Sequence, residues 1–228
     1  GNVRAKVSRP LQGRFMSVTV SLDAVGRYFA TFPCTDVPSK DAIAADREVG
    51  IDLGVETLAT LSDGTKIGNP RHLKKYEHRL AREQRRLSRR KGARRGEKQS
   101  MRYLKQRKRV ARVHAKIADA RTDALHKVTT MLADENQVLC MEDLNAKGMV
   151  RNHHLAKAVS DASFGEFARL LEYKCAERGR TLVKVDRFYP SSKTCSVCGH
   201  RLDALSLSVR SWDCPSCGVH HDRDVNAA

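Results

Sequence analysis

The chain is 228 residues long, enough to bury a core, and 40% of it is hydrophobic, yet it holds no run of about 18 apolar residues and no apolar N-terminal signal segment. A membrane span and a secretory leader are not expected, and a cytoplasmic location is. The net charge of +17 comes from 43 Lys and Arg against 26 Asp and Glu, and between Arg71 and Arg112 the count is 19 against 3; charge so one-sided repels itself unless a polyanion neutralises it, which points to nucleic acid.

Residues 14–22 alternate, with Met16, Val18, Val20 and Leu22 on one face. With a turn at 23–26 and a return at 27–32 they predict a β-hairpin. After a linker at 33–40, residues 48–54, 57–61 and 65–68 predict three antiparallel strands joined by polar turns such as Ser62-Asp63-Gly64. From Pro70 the period becomes helical: Leu73, Tyr76, Leu80 and Leu87 share one stripe, and Val110, Val113, Ile117, Ala120, Ala124, Val128 and Met131 another. Between them, residues 88–100 contain Gly92, Gly96 and almost no apolar side chain, which predicts a basic flexible tip on a long helical hairpin over 70–133. Residues 137–141 read as a strand, 165–178 as a helix burying Phe167, Leu170, Leu171 and Tyr173, 181–185 as a strand, and a last helix starts near Asp224. The order β-β-β-α-β-α-β, with a small insert before the last helix, predicts an α/β, RNase H-like fold with a mixed sheet.

That insert carries Cys195, Cys198, Cys214 and Cys217 as Cys-x2-Cys, fifteen residues, Cys-x2-Cys. The spacing is that of a zinc ribbon: four thiolates close a tetrahedral shell and leave no position for water, so a Zn²⁺ there is structural. Gly199 and Gly218 follow the second cysteine of each pair, where a left-handed backbone is useful. His200, His220 and His221 lie nearby and read as neighbours of the site or nucleic-acid contacts rather than ligands. Cys34, Cys140 and Cys175 stand singly in apolar stretches and read as buried free thiols.

Three acids sit where such a topology converges. Asp52 lies between Gly50 and Gly54 on the face opposite Val49, Ile51 and Leu53. Glu142 ends the strand at 137–141, and Asp224 opens the last helix, where capping would also explain an acid. Carboxylates gathered there can hold two Mg²⁺ ions for phosphodiester hydrolysis, because Mg²⁺ prefers hard charged oxygens. Asp143 and Asp222 compete with Glu142 and Asp224 on sequence alone.

The segments Gly50-Ile51-Asp52-Leu53-Gly54, Leu87-Ser88-Arg89-Arg90-Lys91, Leu125-His126-Lys127, Met141-Glu142-Asp143-Leu144-Asn145, Leu171-Glu172-Tyr173-Lys174, Pro190-Ser191-Ser192-Lys193-Thr194-Cys195 and His221-Asp222-Arg223-Asp224 run from about residue 47 to the end. Together they make the chain resemble the TnpB (OrfB-type) proteins of bacterial insertion sequences, RNA-guided nucleases related to type V CRISPR effectors. The resemblance implies a RuvC-like triad of Asp52, Glu142 and Asp224 using Mg²⁺, with guide RNA and target DNA as partners held by the basic hairpin and the ribbon. Expected phosphate contacts are Arg85, Arg86, Arg89, Arg90, Lys91, Arg94, Arg95 and Lys193. The implied division is a wedge β-barrel remnant over 1–45, a RuvC-like core over 46–190, the zinc ribbon over 191–220, and a truncated last RuvC segment over 221–228. The function implied is RNA-guided DNA cleavage; the alternatives are a non-cleaving RNA-guided DNA-binding protein, a truncated nucleic-acid-binding remnant, and a transposase or junction resolvase of the same fold.

Overall fold

Four short strands open the chain: β1 (Arg14–Phe15), β2 (Thr19–Leu22), β3 (Tyr28–Thr31) and β4 (Cys34–Thr35). The computed structural model describes residues 4–7, 10, 12–37, 44–90, 98–206 and 208–228. It divides into two compact units, residues 1–41 with 78–116, and residues 42–77 with 117–228.

In the first unit β2 and β3 form the expected antiparallel hairpin, and β1 pairs with β4. The predicted strand over 14–22 is not continuous: it breaks after Phe15, where the Met16 amide donates to the Pro33 carbonyl instead of a ladder partner. The hairpin turn is set by Asp23, which accepts from the amides of Val25 and Arg27 and pairs with the Arg27 guanidinium at 2.6 Å. Those donors, the Arg27 amide first, hold its carboxyl down at about 2. Met16, Val18, Val20 and Leu22 are all exposed, so the alternation marks a face that this unit leaves open.

The helical hairpin is present as α1 (His72–Ser88) and α2 (Met101–Glu135). The two helices lie against each other near Glu83, a buried acid on the predicted stripe. Gln106 is also buried and donates to the Glu83 carboxylate at 2.8 Å and to its carbonyl at 3.1 Å, and Arg86 pairs with the same acid at 3.1 Å. The predicted tip falls largely on residues 91–97, which lie outside the described residues, as do the expected contacts Lys91, Arg94 and Arg95. Further along α2 the buried stripe runs through Val113, Ile117, Leu125, Thr129 and Leu132, while the predicted Met131 is exposed.

The second unit is built on a five-stranded mixed sheet. Strand β5 (Glu48–Leu53) pairs antiparallel with β6 (Thr57–Leu61), which pairs with β7 (Lys66–Gly68). On its other side β5 lies parallel to β8 (Val138–Glu142), and β8 parallel to β9 (Thr181–Val185), giving the order β7-β6-β5-β8-β9. The two central strands carry the apolar runs that two-sided burial demands: Val49, Ile51, Leu139 and Met141 are within 5% of fully buried.

Two short helices, α3 (Ala146–Met149) and α4 (Ala156–Ala162), stand where the sequence showed no period, because four and seven residues are too few to display one. The Asn145 side chain caps α3 by accepting from the Gly148 amide. Ser163, at φ +56°, separates α4 from α5 (Phe164–Glu177). Phe164, Phe167, Leu170, Leu171 and Cys175 of α5 enter the core, but the predicted Tyr173 is 41% exposed. The buried place at that turn belongs to Lys174, whose ammonium donates to the His126 carbonyl and to the hydroxyls of Thr129 and Thr130, so three acceptors offset its burial. Cys175 is buried as expected, whereas Cys34 and Cys140 are half-buried. Among the described residues no helix is long and apolar enough to cross a membrane.

Candidate functional site

Strands β5 and β8 are neighbours and parallel, so their C-terminal ends finish side by side and present Asp52 and Glu142 at the same end of the sheet. The third acid comes from a distant stretch. After β9 the chain forms a 3₁₀ turn at Ser191–Lys193, a small hairpin of β10 (Ser211–Asp213) and β11 (His220–Asp222), and the helix α6 (Arg223–Ala227). Helix α6 carries Asp224 into the field of Asp52. Burial first, then the negative charges of Asp224 and Glu142, raise the Asp52 carboxyl to about 6, with Arg223 opposing. Burial and the charges of the other two acids make ionisation of Asp52 costly; Asp52 and Asp224 line one hollow, and Glu142 ends the neighbouring strand.

The competing acids have other work. Asp222 is the N-cap of α6: its carboxylate accepts from the amides of Asp224 and Val225 and pairs with Lys66 at 2.7 Å. The capping role that the sequence allowed for Asp224 therefore belongs to Asp222, and α6 starts one residue earlier than expected. Asp143 pairs with Arg187 at 2.9 Å.

Helix α6 has only five residues, too few to be stable alone, and tertiary contacts hold it. Asn226 donates to the carbonyls of Ser191 and Thr194 and accepts from the Ser196 amide, bonding α6 to the first cysteine knuckle. The Arg223 guanidinium reaches the carbonyls of Ser206 and Val209. On the sheet side the Ala228 carbonyl lies directly on Gly50, where an added Cβ would sit 1.4 Å from its oxygen.

Residues that sequence reasoning missed complete the surroundings. Ser191 donates its hydroxyl to the Glu142 carboxylate at 2.5 Å. Arg210 lines the same hollow as Asp52 and Asp224, 4.0 Å from Asp224 and 3.5 Å from Glu56. Nothing in the sequence marks Arg210, since its proximity to Asp52 depends on a fold that brings positions 158 apart together.

The four predicted cysteines converge: their sulfurs lie within 4.8 Å of one another, an arrangement able to hold a metal ion. Each pair forms the expected knuckle. The Cys195 amide donates to the His200 carbonyl and the Cys214 amide to the Val219 carbonyl, and Gly199 and Gly218 take φ of +74° and +72°. Burial opposes ionisation of Cys195 and Cys214, but backbone amides of the knuckles aimed at each sulfur bring both thiols down to about 7. Trp212, packed with Leu202, Leu205 and Val209, forms the small core of this segment. His221 is buried, stacks on Trp212 and places Nε2 3.1 Å from the Cys195 sulfur, whereas His220 pairs with Asp213 at the surface.

Of the expected phosphate contacts, Arg86 is paired with Glu83, Arg90 donates to the Arg102 carbonyl and Lys193 donates to the Asp203 carbonyl, while Arg85 and Arg89 are exposed.

Residues 32–153 match the family model OrfB_IS605, described as "Probable transposase", and residues 164–228 match a "Cas12f1-like, TNB domain". A Streptomyces pristinaespiralis protein named "Putative RNA-guided DNA endonuclease" is 46% identical over 98% of this chain and 56% of its own length. InsQ of Escherichia coli K12, with the same description, is 32% identical over all of this chain and 58% of its own. The chain thus spans about half the length of the curated relatives it matches. Among solved structures, a Cas12f1–sgRNA–target DNA complex aligns with TM-score 0.53 at 18% identity, covering 92% of this chain and 54% of that one. A CRISPR-Cas12f ternary complex aligns with TM-score 0.55 at 20% identity, covering 92% and 43%. At such identities the likeness is one of fold.

Proposed function

From the premise that the chain belongs to the OrfB_IS605 family, we propose that it acts as an RNA-guided DNA endonuclease with an RNase H-like (RuvC) core, working with guide RNA and target DNA in the cytoplasm. The observation that carries this reading is the Asp52 carboxyl, raised to about 6 by burial and by Asp224 and Glu142. A divalent cation held by the three acids would offset the repulsion that raises Asp52. The names of the relatives and the RNA- and DNA-bound state of the Cas12f1 structure support it.

In this reading Asp52, Glu142 and Asp224 hold Mg²⁺, which when bound lowers the pKa of a water nucleophile and stabilises the leaving oxygen. Ser191 fixes the rotamer of Glu142 through its hydroxyl. Asp222 holds the first turn of α6 so that Asp224 stays aimed at Asp52. Arg210 offers a guanidinium to a phosphate entering the hollow, where it can exchange its loose contact with Asp224 for the substrate. The four cysteines hold a structural Zn²⁺, and Arg85, Arg86, Arg89 and Arg90, with Lys91, Arg94, Arg95 and Lys193, contact nucleic-acid backbone.

The test is to incubate the purified chain with single-stranded DNA in Mg²⁺ and in EDTA, beside Asp52→Ala. Cutting by the unmutated chain in Mg²⁺ alone is expected; metal-dependent cutting that survives in Asp52→Ala overturns the assignment, and salt-sensitive binding without cutting leaves a DNA-binding protein. A second variant avoids every carboxylate. Gly50→Ala puts a methyl group where the Ala228 carbonyl lies, so α6 must move and cutting should fall by about 100-fold, the size of effect seen when the support of a metal ligand is lost. Unchanged cutting by Gly50→Ala would show that the seat of α6 on β5 does not matter.

A further inference from the structure

Beside the hollow of Asp52 and Asp224 lies a second one, between the β5–β6 turn, the start of α1 and α4. Val55 and Glu56 line both, so the two meet over that turn. Each acid of the second hollow already has a cation: Glu56 has Arg210, Glu77 has Lys157, and Asp161 has Arg121. Asp161 also receives the Leu73 amide on both oxygens, so the first turn of α1 is capped from α4 and offers no anion site of its own. Two cations remain, Arg71 and Lys74. Among the described residues neither has a carboxylate partner, both are exposed, and His154 lines the same hollow.

The backbone at Arg71 is unusual. Its φ is +46°, a left-handed conformation that costs a non-glycine residue about 1 kcal/mol or more. Asn69 helps to hold it, accepting from the Arg71 amide at 3.1 Å and donating to the Val55 carbonyl at 2.9 Å, so one side chain joins the strained residue to the floor where the two hollows meet. A strained position kept for a long cation, rather than relieved by glycine, points to a use for that cation.

We infer that this second hollow is the track for the DNA strand being cut, with its phosphates on Arg71 and Lys74 and a base against His154 while the scissile phosphate lies at Asp52 and Asp224. The inference rests on the nuclease reading for the identity of the strand. The surplus cations call for an anion, and the open hollow with His154 beside them suits the phosphodiester backbone of a single strand.

The test uses the whole chain and the pair Arg71→Gly with Lys74→Ala. Glycine at 71 accepts the positive φ without strain, so the fold is kept while the charge goes. In EDTA, a 4-thiothymidine DNA strand of about 20 nucleotides should photo-crosslink to peptides containing Arg71–Lys74 or His154–Lys157. The variant should lower the slope of log affinity against log salt by about 1.4, two phosphates' worth for a single strand. In Mg²⁺ it should raise KM for that strand about tenfold with kcat unchanged. Absence of the crosslinks or of the change in slope overturns the track, whatever the cutting assay gives. Stronger crosslinking by a matching RNA overturns its assignment to the DNA strand. Crosslinks and slope retained without any Mg²⁺-dependent cutting overturn the nuclease reading and leave the track as a binding site.

Discussion

Asparagine at position 52 should abolish Mg²⁺-dependent cutting and at the same time make the metal-free chain more stable at neutral pH. Asp52→Asn removes one of three clustered carboxylates, and loss of a ligand should cost more than the roughly 10- to 100-fold typical of losing a ligand's support. The stability gain follows from the raised pKa. With its carboxyl at about 6 when folded and near 3.8 when unfolded, Asp52 binds its proton more tightly in the folded state, so stability declines as pH rises from about 4 through 6. Above that range the ionised acid costs the metal-free fold roughly 2 to 3 kcal/mol, at 1.36 kcal/mol per unit. The variant's advantage should be full at pH 7.5, shrink through pH 6 and vanish near pH 4. Mg²⁺ should stabilise the unmutated chain and do far less for the variant. Thermal unfolding at the three pH values, with and without Mg²⁺, reads all of this; a variant no more stable than its parent at pH 7.5 in EDTA would mean that Asp52 is not crowded by its neighbours.

Stripping Zn²⁺ from the four cysteines should stop cutting as completely as removing Asp52, although none of those sulfurs belongs to the carboxylate site. Structural Zn²⁺ contributes on the order of 10 kcal/mol or more to the folding of a small segment, and the core of this one is little more than Trp212 with three partly buried aliphatics. Without metal, the knuckle that bonds Asn226 through Ser196 and Thr194 is lost, and so is the register of β11, which places Asp222 as the cap of α6. Asp224 then has no fixed position. The sheet core of Val49, Ile51, Leu139 and Phe167 is independent of the ribbon, so helix content by circular dichroism should persist. The measurement is cutting in excess Mg²⁺ before chelation, after it, and after returning Zn²⁺; cutting that ignores the loss of Zn²⁺ sinks the coupling between ribbon and α6.

The sequence by itself determined what depends on neighbours along the chain. The strands at 48–53, 57–61 and 181–185, the two long helices and the hairpin at 19–31 were legible because each has enough residues to show a period or an apolar run. The cysteine spacing and the two glycines after it were legible because a knuckle is local, and its four sulfurs converge as the spacing predicted. Tertiary structure decided the rest. The burial expected for Tyr173 went to Lys174 because the acceptors for Lys174 lie on α2, more than forty residues away. Asp222 and Asp224 carry the same side chain two residues apart, and only the placement of β11 and α6 makes one a helix cap paired with Lys66 and the other a neighbour of Asp52. Likewise Arg210 meets Asp224, Ser191 meets Glu142 and Arg71 shares a hollow with His154 only through long-range packing. Proximity of that kind has no period and no spacing along the chain; it exists once the sheet has closed.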